Sequence, residues 1–160
     1  MARIGIQLMM LKEHVAQQGL LPVLERVRET GFEVVEVSQI PLSEENLVAL
    51  ETAREQLGIE VAAISATTSL PPGGEGPTLR DDLALHVEHA RRAGTRMIRI
   101  GMMPTSALRS REAFDAFVAE VDGYAHRPVR RGGRGDPRLA SRDPSSSSPR
   151  WARGPSTGVP

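Results

Sequence analysis

The sequence predicts a parallel α/β fold of four consecutive β/α units in residues 1–125. The first observation is a weak repeat of helix, glycine and strand, seen in ERVRETGFEVVEVS, TAREQLGIEVAAIS and EHARRAGTRMIRIG. The second is the short apolar, β-branched run that ends each repeat, which is typical of a buried strand in a parallel sheet. The third is the alternation of single strands with single helices, which favours right-handed crossovers and hence parallel pairing.

The first two predicted strands cover residues 3–9 and 33–38, and a helix over residues 20–30 connects them. Pro22 falls in the first turn of this helix, where its missing N–H has no partner to lose. Glycine follows the helix at Gly31, as it does the next two helices, because it tolerates the left-handed backbone past a helix end. The helix presents one apolar face, made of Leu20, Val23, Leu24 and Val27.

The last two predicted strands cover residues 60–65 and 96–101. Ser43, Thr78 and Ser110 are each expected to cap the start of a helix, because a hydroxyl there accepts a free backbone N–H. Between the third strand and the third helix, the segment TTSLPPGGEGP is too rich in proline and glycine for regular structure. The fourth helix is expected to bury a stripe of Phe114, Phe117, Val118 and Val121.

Residues 126–160 form a second region, predicted to be a disordered basic tail. They contain eight arginines against Asp136 and Asp143, and they consist mostly of Arg, Pro, Gly and Ser. Two interpretations remain open, a native basic tail and an out-of-frame extension of a GC-rich gene. The second is favoured, because the pattern upstream stops before a sheet is complete. With Trp151 as its one aromatic residue, the tail predicts no specific nucleic-acid partner.

Composition excludes several classes of protein. The chain of 160 residues suits one domain with a core, and the absence of cysteine excludes disulfides and thiolate metal sites. Residues 1–20 do not have the pattern of a signal peptide, and no apolar run approaches the roughly 20 residues of a membrane span. We therefore expect a soluble cytoplasmic protein without a membrane partner.

Candidate site residues lie where the predicted strands end, because parallel α/β folds place their chemistry there. These positions are residues 7–10, 36–39, 65–68 and 99–103. Glu36 is suited to accept a sugar hydroxyl or to act as an acid or base. His86 and His89 lie one helical turn apart, but a solvated helix face is favoured over a zinc site, because no third ligand is evident.

The segments IGIQLMMLKE, LERVRETGFEVVEVS, LGIEVAAIS and HARRAGTRMIRIG together resemble the sugar phosphate isomerases/epimerases of the xylose isomerase-like TIM-barrel family. The resemblance covers residues 3–125 and implies half of a TIM barrel, a (β/α)4 unit. Family members bind Mn2+, Mg2+, Co2+ or Zn2+ and isomerise or epimerise a sugar or polyol by metal-assisted proton transfer.

The resemblance also implies which residues face the substrate. Gln7, Glu36, Ser65 and Thr67 match substrate-side strand ends, although many members have a histidine near Thr67. The metal ligands of the family lie on later strands, so no metal or catalytic residue carries over. We therefore expect a truncated, inactive form that binds no metal itself.

Two alternatives remain open. The chain could be a non-enzymatic half-barrel module that associates with itself or with a partner chain, because four open strands leave an unpaired edge and an apolar face. It could also be a flavodoxin-like domain with a short sheet. The flavodoxin-like alternative is disfavoured, because the first β/α turn lacks a phosphate-binding loop.

Overall fold

A computed structural model describes residues 3–71 and 73–127 of the chain. Four strands form one sheet in these residues, and every neighbouring pair is parallel. The strands lie side by side in chain order and are β1 (Gly5–Gln7), β2 (Val34–Val37), β3 (Glu60–Ala66) and β4 (Ile98–Ile100). The predicted α/β class with a parallel sheet is confirmed, and the strand order is consistent with half of an α/β barrel.

The described residues also form five α-helices, which connect and follow the strands. They are α1 (Lys12–Gln18), α2 (Leu20–Glu29), α3 (Glu44–Thr52), α4 (Leu79–Ala93) and α5 (Arg111–His126). Short 3-10 turns occupy Leu8–Leu11 and Thr105–Leu108, and a π-helical turn at Ala53–Leu57 extends α3. Within the described residues, no helix is both long and apolar enough to cross a bilayer.

The main core lies between the sheet and the helices on one of its faces. Leu24 of α2, Val35 of β2, Leu50 of α3 and Ile64 of β3 are completely or almost completely buried there. Each such side chain contributes about 2 kcal/mol through removal of apolar surface from water. The core therefore covers one face of the sheet, and the polar side chains at the strand ends lie on the opposite face.

Local capping signals place three of the helix starts. Ser43, Thr78 and Ser110 accept hydrogen bonds from the backbone N–H groups of Asn46, Asp81 and Ala113, respectively. The glycines after two helices adopt the left-handed backbone that was expected, with φ of 67° at Gly58 and 81° at Gly94. These predictions are confirmed because each depends on only a few neighbouring residues.

The edge strands are shorter than predicted. β1 ends at Gln7, because the chain turns into a 3-10 helix at Leu8, and β4 spans only Ile98–Ile100. Helix α1 was not predicted at all. Its sequence KEHVAQQ buries only Val15, so it lacks the apolar period by which a helix is recognised.

The predicted buried stripe on the last helix is wrong. No side chain of α5 is buried, and Phe114 and Val118 remain 40% and 48% exposed. The physical reason is that a helix in a β/α unit packs over its own strand and the next, whereas β4 is the last strand of the described sheet. The disordered tail was predicted to begin at residue 126, but His126 is the last residue of α5, and residues 128–160 of the predicted tail lie outside the described residues.

Candidate functional site

One polar side chain from each of the four strands meets at the carboxyl end of the sheet. The carboxylate oxygen Oε1 of Glu36 accepts hydrogen bonds from Gln7 Nε2 at 2.9 Å and from Ser65 Oγ at 3.0 Å. Arg99 Nε donates to the same oxygen at 2.6 Å. We call Gln7, Glu36, Ser65 and Arg99 the strand-end cluster.

Strand register explains why these four side chains meet. Gln7 lies opposite Glu36 in the β1–β2 ladder, and Ser65 lies opposite Arg99 in the β3–β4 ladder. Glu36 itself is paired with Ala63, two residues before Ser65 and therefore on the same face of β3. An irregularity in the β2–β3 register between Val35 and Glu36 accompanies this arrangement.

The guanidinium of Arg99 connects the cluster across the sheet. Besides the bond to Glu36, its Nη2 donates to Ser65 Oγ at 3.0 Å and to Ser38 Oγ at 3.4 Å. The side chains of Arg99 and Glu36 are 38% and 24% exposed, so the ion pair is only partly shielded. A small ligand can therefore reach both charges from solvent.

The environment of Glu36 keeps its carboxylate ionised. Partial burial by itself raises the pKa of Glu36. Hydrogen bonds from Gln7, Arg99 and Ser65 act in the opposite direction, as does the positive charge of Arg99, and together they hold the pKa below its usual range. A carboxylate held in this way is a hydrogen-bond acceptor at neutral pH and a weak general base.

Three of the four predicted substrate-side residues belong to the cluster, and Thr67 does not. Its hydroxyl donates to the Ser69 carbonyl at 2.7 Å, within the loop after β3. Its own carbonyl accepts from the backbone N–H of Leu79 at 2.9 Å, which ties the loop to the start of α4. Thr67 therefore shapes the loop, and its hydroxyl is already committed.

Arg99 was not selected as a site residue, although it falls in one of the predicted strand-end positions. The signal was present, because arginine interrupts the apolar run of β4. A charged side chain in a short, otherwise apolar strand needs a partner. Glu36, in the equally apolar strand β2, is that partner.

The donor set does not fit a divalent metal. The cluster offers one carboxylate, whose Oε1 already accepts three hydrogen bonds, and a guanidinium 2.6 Å away repels a second cation. Among residues 3–71 and 73–127, no three His, Asp or Glu side chains come together in a way that could hold a metal ion. No chemical step at this cluster is therefore assigned to a metal.

The histidines of α4 lie away from the strand ends, and the expectation of a solvated helix face is wrong for one of them. His86 is 5% exposed, and its ring meets that of His89 edge-on at a centroid distance of 6.5 Å. Within the described part of the chain, neither ring nitrogen of His86 makes a hydrogen bond. His86 lies on the same face of α4 as the buried residues Leu83 and Ala90, so this part of the helix faces the core and not solvent.

A second concave region borders the end of β2. It has a volume of about 290 Å3 and is lined by Lys12 and Gln39, among others. Lys12 Nζ donates to Gln39 Oε1 at 3.3 Å, and Gln39 has a left-handed backbone with φ of 56°, unusual for a residue other than glycine. Gln39 falls in the predicted strand-end positions 36–39, whereas Lys12 was not predicted, because it lies on the unpredicted helix α1.

The fold and the cluster define a parallel α/β protein with a polar site at the carboxyl ends of its strands. No protein-family model matches the chain, and a comparison with curated proteins finds no match.

Proposed function

We propose that the strand-end cluster binds a sugar or polyol, and that the chain corresponds to the first half of a sugar isomerase/epimerase barrel. The observation that carries this proposal is the convergence of one polar side chain from each strand on Glu36 Oε1. Parallel α/β folds bind small ligands at this end of the sheet. The sequence resemblance supports the same substrate class.

The chemistry of the cluster matches a polyhydroxylated ligand. Glu36 and the Ser65 hydroxyl can accept hydrogen bonds from ligand hydroxyls, while Gln7 and Arg99 can donate to hydroxyl or carbonyl oxygens. The Glu36 carboxylate accepts hydrogen bonds and the neighbouring Arg99 guanidinium donates them. Such a pair suits a neutral ligand whose hydroxyl groups can both donate and accept. On this proposal the four side chains bind and orient the substrate.

The proposal includes no turnover by this chain alone. The cluster has one ionised carboxylate of lowered pKa, whereas proton transfer between adjacent carbons needs an acid and a base with pKa values near the working pH. We therefore expect purified chain to bind a polyol without isomerising or epimerising it. Turnover that requires added Mn2+, Mg2+, Co2+ or Zn2+ would contradict this part of the proposal.

Calorimetric titration with xylose, fructose and xylitol tests binding. The variant Ser65→Ala removes a hydroxyl from the cluster, and we expect it to weaken binding about tenfold, the loss of one or two hydrogen bonds. Thr67→Ala is the matched control, because it removes a hydroxyl at the end of the same strand that is committed to Ser69. Equal effects of the two variants, or no heat of binding with any of the three ligands, would refute the proposed site.

The barrel part of the proposal has a separate test in the coding DNA. The favoured interpretation of residues 126–160 expects an alternative reading frame downstream of the Ala125 codon to encode further β/α units. An alternative frame without any hydrophobic periodicity would contradict it. The cytoplasmic location stays a prediction.

A further inference from the structure

The outer side of β1 borders an apolar groove with a volume of about 820 Å3. Ile6 of β1, Val27 of α2 and Phe32 form part of its floor, and Gln18 and Arg26 lie among the residues that line it. Within the described residues β1 is an edge strand, so no further strand pairs with its outer edge. The groove is therefore the place that a helix preceding β1 would occupy in a continuing β/α series.

At the opposite side of the sheet, next to β4, a helix exposes apolar side chains that have nothing to cover them in the described residues. Helix α5 follows β4 and carries an apolar stripe that includes Phe114 and Val118, both at least 40% exposed. Met97, the residue before β4, is 61% exposed. In contrast, α2, which lies between two strands of the sheet, buries Leu20, Val23, Leu24 and Val27. Within the described residues, which end at Arg127, no strand follows α5.

The two ends of the sheet are complementary: one has an open groove beside β1, and the other has a helix, α5, with an exposed apolar stripe. The strand that follows α5 in a parallel β/α series pairs with β4, and α5 then packs over both strands. Strand β1 of another copy has a free parallel edge, and its groove is open to a helix. We propose that two copies of this chain associate head to tail, β4 of each pairing with β1 of the other and α5 of each entering the partner's groove.

Strand number and charge favour a second copy as the occupant. One two-fold operation on four strands gives a closed sheet of eight, the size at which side chains just fill a barrel, and it leaves no free edge. The lining of the groove offers Arg26, whose side chain is 80% exposed, and Glu25. On α5, Glu112 is the exposed carboxylate that can serve as a partner for Arg26, whose contact with Glu29 in its own helix is a long 3.5 Å. The other carboxylates of α5 are paired within the same copy: Asp115 with Arg111, Glu120 with Arg80 and Asp122 with His126.

The arrangement also completes the strand-end cluster. The cluster lies on the sheet face opposite the core, which becomes the inside of the closed sheet. Each cluster then faces the same four side chains of its partner across the two-fold axis. The inference does not rest on polyol binding, because its test measures assembly alone.

The oligomeric mass of the full chain tests the inference first. We expect twice the chain mass of 17.4 kDa by sedimentation equilibrium. Val118→Asp on α5 should raise the dissociation constant of the dimer at least about tenfold. Val48→Asp on α3 is the matched control, because the two valines are 48% and 47% exposed on their helices, and it should leave the dimer intact.

Cross-linking tests the geometry even if an aspartate variant fails to fold. Because the chain has no cysteine, Val118→Cys and Gln18→Cys variants can each be made with a single thiol. A short bismaleimide should join the two variants when they are mixed, and neither variant to itself. A monomer at all soluble concentrations, an open series of larger assemblies, equal loss of the dimer in both aspartate variants, or cross-linking of Val118→Cys to itself would overturn the inference.

Discussion

Arg99 of β4 donates from Nε to Glu36 Oε1 of β2 at 2.6 Å, so this ion pair spans the intervening strand β3. Ser65 of β3 bonds both partners, to Glu36 at 3.0 Å and to Arg99 at 3.0 Å. Three strands are thus tied together at one edge of the sheet. Because both charges stay partly exposed, the same contacts can stabilise the sheet and receive a ligand.

Replacement of Glu36 by glutamine should destabilise the fold. The variant removes the charge that Arg99 faces and weakens three hydrogen bonds at one oxygen. Loss of a charged hydrogen-bond partner at a site that is only partly exposed predicts a decrease of about 1 to 2 kcal/mol in the free energy of unfolding. Urea unfolding measures it, with Glu75→Gln in the exposed loop as control. Equal stability of the two variants would show that the cluster adds nothing to the fold.

The lowered pKa of Glu36 predicts a contribution to stability that depends on pH. A carboxyl group whose pKa is lower in the folded state than in the unfolded one stabilises the fold above its ordinary value of 4.5. This stability is lost as the pH falls from there through the folded-state pKa. The difference in unfolding free energy between the wild type and Glu36→Gln should therefore shrink between neutral pH and strongly acidic pH. A difference that stays constant over this range would contradict the assigned shift.

Helix caps should differ in importance along the chain. Thr78 caps α4, which contributes Leu83 and Ala90 to buried clusters, so Thr78→Ala should cost about 1 kcal/mol of global stability. Ser110 caps α5, which buries no side chain, so Ser110→Ala should change global unfolding much less. Thermal unfolding of the two variants under dimer-free conditions checks this order. A larger loss for Ser110→Ala would mean that α5 belongs to the cooperative core.

His86 should make the fold sensitive to weakly acidic pH. Burial lowers the pKa of His86, and the negative charge of Asp82 opposes this only in part. Since the unfolded state then binds the proton more readily, stability should fall as the pH drops below 6.5. His86→Leu should remove this part of the pH dependence.

The matched control for this prediction is His14→Leu, at an exposed position of α1. It should leave the slope of unfolding free energy against pH between neutrality and pH 5.5 (about one unit below the ordinary histidine pKa) as it is in the wild type. Identical slopes for the wild type and His86→Leu would show that His86 does not titrate in this range.

Short-range patterns predicted much of this fold, and long-range packing set the rest. The caps at Ser43, Thr78 and Ser110 depend on hydrogen bonds within one helical turn, so the sequence reveals them. Whether a side chain is buried depends instead on which other helices and strands pack against its own. Val118 was expected to be buried because it repeats at helical spacing, and it is exposed because no strand of the described sheet covers it. His86 shows the opposite error, since it lies on the buried face of α4 with Leu83 and Ala90.

The site followed the same division. Gln7, Glu36 and Ser65 could be selected because they lie where parallel strands end and because they match substrate-side positions of the family that the sequence resembles. Their partner Arg99 also had a signal in the sequence, as the one charged residue in the apolar strand β4, but its pairing with Glu36 across β3 depends on a strand register that the sequence does not specify. Thr67 was expected beside them, but its hydroxyl turns into the loop and bonds Ser69. One residue past the strand was enough to change its role.

Binding of a polyol at the strand-end cluster is tested most directly by 1H–15N NMR titration of the full chain with xylitol. The expected result is a set of shifts confined to the carboxyl ends of β1–β4, including the side-chain Nε–H of Arg99, and their loss in Glu36→Gln. Shifts that are confined to the region around Lys12 and Gln39, or a spectrum unchanged at saturating xylitol, would contradict a binding site centred on Glu36.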